Sequence, residues 1–478
     1  YEDYPFWFTF LTNLGFRVII SEKSNRKTYE KGMESMPSES VCYPAKLSHG
    51  HIVSLINQGI KTIFYPCIFY ENQESSGAQN HYNCPIVVSN SENIKNNFEE
   101  IGSGEITYLR PFIAFTSEKT VANRLARYFH HERGYDISEG EIKRAVRLAW
   151  REQKNAKADI KKEGRRVLDL LEKEGGRGIV LAGRPYHLDP EINHGIPELI
   201  SSYGFAVLTE DSLPEIYDEI KKLRVNDQWV YHTRLYNAAA YVRKYDHLEL
   251  IQLNSFGCGI DAVTTDQVSE ILENSGKLYT SLKIDEVNNL GAIRIRVRSL
   301  ISAMNMRAKK GIRPHAEEIN YKRAEFTEEM FKEGYTILAP QMSPIHFKLL
   351  EPLFRKYNYN FVVLSNTTKD AIDTGLKYVN NDACFPSISM VGQIMHAVLS
   401  GEYDTDRLAI IMTQTGGCCR ASNYVSFIRR ALDKVNLSHI PVISLNFTGI
   451  EKNSGFKIPK RALIGAVKVF VFGDLLMR

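Results

Sequence analysis

Gly178-Ile179-Val180-Leu181-Ala182, a loop through Pro185, a helix closing at Tyr203-Gly204-Phe205, and then Ala206-Val207-Leu208 read as strand, helix, strand. Both runs are short, continuous and apolar, as expected of parallel strands covered on two faces. The pattern recurs downstream. Tyr335-Thr336-Ile337-Leu338-Ala339 leads through Pro340 to a helix closing at Tyr357-Asn358-Tyr359, and Phe361-Val362-Val363-Leu364 follows. It recurs upstream in part: Leu14-Gly15-Phe16 ends a helix that opens in Tyr4-Pro5-Phe6-Trp7-Phe8, and Arg17-Val18-Ile19-Ile20 follows. Gly or Asn at each helix end suits the left-handed conformation that terminates helices. A further apolar strand is expected in each repeat, at Thr62–Tyr65, Leu248–Leu253 and Leu408–Met412.

The expected fold is therefore α/β, with three Rossmann-like (flavodoxin-like) units built on parallel sheets and joined by helical linkers. The boundaries expected are 1–137 for the first unit, which lacks its first strand, 177–303 for the second and 334–478 for the third. A long linker helix fills 138–176. Ser138 and Glu141 fit a capping box, Ile142, Ala145, Val146 and Ala149 form one stripe, and Gly175-Gly176 closes it. The 304–333 linker, basic and then acidic, is the candidate hinge. The chain reads as a piece of a longer polypeptide. In such sheets, ligands gather beyond the carboxyl ends of the strands.

Composition narrows the function classes. With 478 residues, 43% hydrophobic and 24% charged, the chain is expected to be globular and soluble. A net charge of +4 is too small for a nucleic-acid footprint, and no apolar run is long enough to cross a membrane. Nothing resembles a signal peptide, so a cytoplasmic protein is expected. Seven cysteines are too few for a disulfide scaffold.

Their placement carries more. Cys67, Cys258 and Cys419 each stand just past the third strand of a unit. Cys42-Tyr43-Pro44 with Gly50, and Cys384-Phe385-Pro386 with Gly392, repeat one pattern: Pro two residues and Gly eight residues after Cys. Such a Pro suits the first turn of a helix, which puts each sulfur at a helix N-terminus, where thiolate is favoured. Cys84, in Asn83-Cys84-Pro85, is similar. A lone free cysteine is ordinarily a small buried hydrophobe. That explains one or two of these, but not a set in Gly/Pro-flanked loops at equivalent places in repeated units. Structural zinc is disfavoured because the chain has no CxxC. Six thiolates from separate loops suit an iron–sulfur centre better. Cys418 and Cys419 are adjacent, and Cys419 is the favoured ligand, with Cys418 its substitute.

At these motifs the chain resembles the activase-associated proteins of the 2-hydroxyacyl-CoA dehydratase family and their relatives, the double-cubane cluster proteins. The motifs run from Ser38 to Lys46, Phe64 to Cys67, His81 to Pro85, Leu181 to His187, Asn254 to Gly259, Asn380 to Pro386 and Gln414 to Arg420. The family motif carries Gly where Cys418 stands, which favours Cys419. The resemblance implies an oxygen-sensitive iron–sulfur component that accepts low-potential electrons from an ATP-hydrolysing activase with its own [4Fe-4S] cluster, fused upstream. It implies an [8Fe-9S] double cubane held by Cys42, Cys67, Cys84, Cys258, Cys384 and Cys419, or a [4Fe-4S] cluster. The implied reaction is reduction of a small molecule at the cluster, or dehydration of a 2-hydroxyacyl-CoA through a ketyl radical. A homodimer is admitted. The rival is a non-enzymatic electron-relay module. The chain has no GxxxxGK[ST] loop, so it is not expected to bind ATP itself.

Other residues carry two readings each. Arg184 and His187 are the candidate catalytic pair, with Asn193 and His194 nearby, facing substrate or acyl-CoA phosphates; alternatively Arg184 caps a helix and the histidines are satisfied loop groups. Lys46, His49 and His51 read as a solvated helix face, with His51 the candidate proton relay. Asp261 and Asp266 read as helix caps, Trp7, Trp150 and Trp229 as core, and Arg294, Arg296 and Arg298 as a solvated face.

Overall fold

The computed structural model describes residues 2–38, 41–287, 290–365, 368–446 and 451–478; Glu39 and Ser40 of the first cysteine motif lie outside them. The chain forms two compact units, 1–221 with 227–319, and 222–226 with 320–478. The first expected α/β repeat, and all of the second except 222–226, fall in the first of these.

The first unit begins with α1 (Tyr4–Asn13), α2 (Arg26–Lys31) and α3 (Tyr43–Asn57). Strands β1 (Thr62–Phe64) and β2 (Cys67–Tyr70) follow, then α4 (Pro85–Asn97), β3 (Thr107–Leu109) and β4 (Phe112–Ala114). β1 pairs with β3 and β2 with β4, both in parallel. The expected strand at Arg17–Ile20 does not form. Its β-branched residues run without a sheet neighbour, and Ile19 and Ile20 are 44% and 62% exposed. A strand exists only through its partner, so propensity alone could not make one here.

Helix α5 (Glu139–Glu174) forms as the sequence predicts. The Glu141 N–H donates to Ser138 Oγ, the Ser138 N–H donates to the Glu141 carboxylate, and Gly175 ends the helix at φ 67°. The expected stripe, Ile142 to Ala149, buries against Phe6, Phe10 and Phe129.

The rest of the unit is β5 (Gly178–Ala182), α6 (Ile196–Ser201), β6 (Ala206–Thr209), α7 (Val230–Val242), β7 (Leu248–Ser255), α8 (Gly259–Asn274), β8 (Tyr279–Ile284) and α9 (Leu290–Lys309). The four strands make one parallel sheet in the order β6-β5-β7-β8. β5 and β7 are buried along their whole length; β5 is apolar throughout, while β7 also buries Glu249, Gln252 and Asn254. Arg294, Arg296 and Arg298 lie exposed on α9, as a solvated face.

The second unit repeats this plan. β9 (Thr336–Ala339), α10 (Pro344–Arg355), β10 (Asn360–Val363), α11 (Lys369–Tyr378), α12 (Phe385–Leu399), β11 (Leu408–Thr413), α13 (Tyr424–Asp433), β12 (Val442–Leu445) and α14 (Lys460–Met477) follow in turn. Its parallel sheet has the order β10-β9-β11-β12. The α/β reading with parallel sheets is thus borne out. Gly15, Gly204 and Asn358, the three residues expected in the left-handed region, have φ of 84°, 83° and 65°.

The repeated glycine eight residues after Cys has a structural cause in both units. A Cβ on Gly50 would strike the carbonyl of Thr28 on α2, and one on Gly392 would strike the carbonyl of Ala371 on α11. Each glycine lets the helix that begins at its cysteine lie against the backbone of the preceding helix. The motif therefore fixes the height of the helix, and with it the position of the sulfur.

Candidate functional site

In the first unit, Cys42, Cys84 and Cys258 are the N-cap residues of α3, α4 and α8. Pro44 and Pro85 stand in the first turns of their helices, as the motifs predict. Each sulfur faces backbone N–H groups of the turn it opens: Ala45 for Cys42, Ile86 and Val87 for Cys84, Asp261 for Cys258. Burial pushes all three thiols up, Cys258 to about 11. The cation Arg184 opposes that shift at every one of them. Cys42 and Cys84 line one cavity with Arg184, whose Nη2 lies 3.7 Å from the Cys258 sulfur.

Arg184, from the loop after β5, is buried at the centre. Its Nη2 donates to Asp261 Oδ2 at 2.7 Å, to Ser255 Oγ at 3.4 Å and to Cys258 Sγ at 3.7 Å. It caps no helix. Asp261 also accepts the Ser255 N–H at 2.9 Å and pairs with His232 Nε2 at 3.3 Å. Burial alone would raise the Asp261 carboxyl, but Arg184 and His232 hold it at about 2. The expected capping role of Asp261 is therefore replaced: its carboxylate turns back onto the strand end and the arginine, because a buried cation needs a partner. Burial keeps His232 neutral, so Nε2–H donates to Asp261 and Nδ1 is left as a bare buried acceptor.

His187 does not join this group. Its Nδ1 accepts the Arg184 N–H at 2.9 Å, and burial lowers it to about 3, so it orders the loop as a neutral ring. Asn193 donates to the His187 carbonyl, and His194 Nε2 meets the Asp285 carbonyl at 2.8 Å. The solvated reading of α3 is corrected: Lys46 and His49 are buried, Lys46 paired with Glu286 at 2.9 Å and His49 Nδ1 bonded to Ser35 Oγ at 3.0 Å. His51 Nε2 meets Ser24 Oγ at 3.0 Å, and Ser24 donates to Asp189 at 2.5 Å. Asp266 is buried on α8, and Trp229 is core.

Cys67 stands elsewhere. It opens β2 rather than lying in a loop, because the chain turns at Pro66 and resumes as a strand paired with β4. Its sulfur is buried 2.5 Å from Ser91 Oγ, with Glu92 and Arg110 as its charged neighbours.

In the second unit, Cys384 and Cys419 cap α12 and the short helix Arg420–Asn423. Cys384 Sγ lies 2.8 Å from the Tyr424 hydroxyl. Burial would raise this thiol, but hydrogen bonds from Tyr424 and Arg420 hold it below the ordinary range. Burial would lower Arg420, but Cys384 and then Cys419 hold it above its ordinary range. Cys419 is exposed and Cys418 half-buried, and none of the seven cysteines is joined in a disulfide.

Thiols are the donor type that iron–sulfur clusters and soft metal ions share. Among the described residues, no three His, Cys, Asp or Glu side chains close on one point as a single metal would require. A cubane presents irons at separate corners, so its cysteines stand apart. Three soft sulfurs, each on a helix N-terminus and served by one buried arginine, suit such a group. His232 and Tyr424 went unread in the sequence because each sits among apolar or common loop residues without a flanking motif. Among the described residues, no helix is long and apolar enough to cross a membrane. No curated protein matches the chain. Residues 1–213, which contain Cys42, Cys67, Cys84 and Arg184, match the family model described as CoA enzyme activase uncharacterised domain (DUF2229).

Proposed function

We propose that the chain is the iron–sulfur, electron-accepting component of an ATP-dependent low-potential reductase or 2-hydroxyacyl-CoA dehydratase system. The observation that carries this is the gathering of Cys42, Cys84 and Cys258, three helix N-caps, around Arg184. The activase-related match over residues 1–213 supports the partner class, an ATP-hydrolysing activase. Cys384 and Cys419 are the ligands proposed for the second unit, and Cys67 would complete the six of a double cubane.

Bound at these cysteines, a cluster would supply one-electron transfer at low potential. The chain's own residues prepare for the charge. Three helix N-termini favour thiolate by about 0.3–1 kcal/mol each, and Arg184 adds a charge-assisted donor to the Cys258 sulfur. The Asp261 carboxylate fixes that guanidinium. His232 Nδ1 is an acceptor held ready at the edge of the group. Small-molecule reduction and acyl-CoA dehydration would share this machinery and differ in what meets it.

The test is iron and acid-labile sulfide per chain on anaerobically purified protein. About eight irons with nine sulfides would support the double cubane, and about four of each a single cubane. Anaerobic turnover with activase and ATP then separates an enzyme from an electron relay. A colourless, iron-free protein that resists reconstitution would refute the proposal.

A further inference from the structure

The helix Glu118–Ala126 runs on into a π-helical stretch, Arg127–Glu132. There the Arg133 N–H donates to the Tyr128 carbonyl, five residues back, at 3.0 Å. In an α-helix, residues five apart stand about 140° apart around the axis. The wider turn brings Tyr128 and Arg133 together, and Arg133 Nε donates to the Tyr128 hydroxyl at 3.1 Å. Such turns are rare and recur at functional sites. This one lines a cavity of about 580 Å³ in the first unit, which shares no lining residue with the cavity of Cys42, Cys84 and Arg184.

Three arginines, Arg110, Arg124 and Arg133, line it against two carboxylates, Glu92 and Glu132. The carboxylates do not use up the donors. Glu132 takes both Nη atoms of Arg124, at 2.9 and 3.3 Å, and the Phe112 carbonyl takes its Nε, so that guanidinium is fully engaged. Glu92 takes only Nη1 of Arg110. Among the described residues, Nε and Nη2 of Arg110 and Nη1 of Arg133 meet no acceptor. Tyr128 is buried, and its oxygen accepts the Arg110 N–H at 2.9 Å as well as Arg133 Nε. Its lone pairs are therefore taken, and its own O–H finds no acceptor among the described residues. Buried donors ordinarily have partners. Two guanidinium edges and a phenol that offer only donors match an oxyanion. Phe112, 53% exposed, and Val88 give the same cavity an apolar wall.

We propose that this cavity binds a phosphate monoester, its oxygens on Arg110, Arg133 and the Tyr128 hydroxyl and its apolar group against Phe112. Three donor groups suit the three terminal oxygens of a phosphate better than the two of a carboxylate. The inference requires neither a bound cluster nor Cys67 as a ligand.

The test is calorimetric titration of the full chain at low salt with phenyl phosphate, inorganic phosphate and benzoate. Phenyl phosphate is expected to bind one to one, about tenfold more tightly than either of the others. Tyr128→Phe, which deletes one hydroxyl, and Arg133→Met, at an exposed arginine, should each weaken it by about tenfold. Arg127→Met, at an arginine 76% exposed and outside the cavity, should leave it unchanged. Equal loss in Arg127→Met would show attraction to surface charge alone and overturn the proposal. Inorganic phosphate binding as tightly as the ester would overturn the ester, and benzoate doing so would overturn the phosphate. The titration is repeated after iron chelation. Equal binding with and without iron supports the site whatever becomes of the proposed function; binding only without iron would assign these arginines to a cluster and overturn it.

Discussion

Replacing Glu210 by Gln should abolish a pH dependence of stability that is built into the first unit. Glu210 is buried behind the Arg184 loop, where its Oε2 accepts the Gly183 N–H at 3.1 Å. Burial, and then the charge of Asp211, raise its carboxyl from 4.5 to about 8. The folded state therefore holds a proton that the unfolded chain releases. The stabilisation is complete below about pH 4.5 and is lost as pH rises toward about 8. For one group with these two values, the loss between about pH 6 and about pH 8 is about 2 kcal/mol. Gln keeps the acceptor for Gly183 and carries no charge, so Glu210→Gln should match the wild type near about pH 5 and exceed it by several kcal/mol near about pH 8. All three tryptophans, Trp7, Trp150 and Trp229, belong to the first unit, so urea melts followed by their fluorescence read this unit alone. Asp227, raised to about 7, contributes a similar slope to both proteins and cancels in the comparison. Parallel pH profiles for the two proteins would refute the reasoning.

Gly50→Ala and Gly392→Ala should each cost about 1–3 kcal/mol or more, since the new methyl meets backbone rather than a movable side chain; far-UV circular dichroism melts measure it. Arg234→Met should cost about 3–5 kcal/mol, because the buried guanidinium forks onto Glu2 and Glu74 and its loss strands both carboxylates; the same tryptophan-followed urea melts would show it. Ser138→Ala removes the cap of α5 and should cost about 1 kcal/mol, with the capping-box partner Glu141 losing its role in the same melt. Cys258→Ser should reduce iron per chain in anaerobic preparations more than Cys67→Ser does, because Cys67 faces Ser91 rather than Arg184.

Local signals were legible in the sequence, and long-range ones only where a motif announced them. The capping box of α5, the left-handed helix ends and the buried strands β5 and β9 are set by neighbours in the chain, and the pattern reading finds them. Arg17–Ile20 has the composition of a strand but no partner, and partnership is not written in a short run. Lys46 and His49 look solvated beside Ser48 and His51, yet both are buried, Lys46 against Glu286 and His49 against Ser35. The reason for Gly50, whose spacing from Cys42 was visible, likewise lies in a distant contact, the Thr28 carbonyl. Asp261 misled for a related cause: an acid in the first turn of a helix ordinarily serves its own N-terminus, and only Arg184, 77 positions away, reveals another use.

The same physics explains why the cysteines repeat with their glycines. A thiol at a helix N-terminus is useful to a cluster only if the helix is held at a fixed height, since a shift of one turn would carry the sulfur about 5.4 Å away. Close backbone contact at Gly50 and Gly392 is a stiff constraint, because nothing at the contact can rotate aside. Cys84 and Cys258 lack such a glycine at the same spacing. Cys258 is fixed instead through the Asp261 carboxylate, which ties the first turn of α8 to the Ser255 N–H at the end of β7. Cys84 is fixed through Asn83, whose side chain accepts the Cys84 N–H at 2.9 Å and donates to Glu71 at 2.7 Å. Three different devices thus anchor the three sulfurs of the first unit. Loss of any one should displace a single ligand: Asn83→Ala, for example, should lower bound iron while leaving the far-UV spectrum unchanged. An Asn83→Ala protein that keeps full iron would show that the Cys84 loop is held by other means.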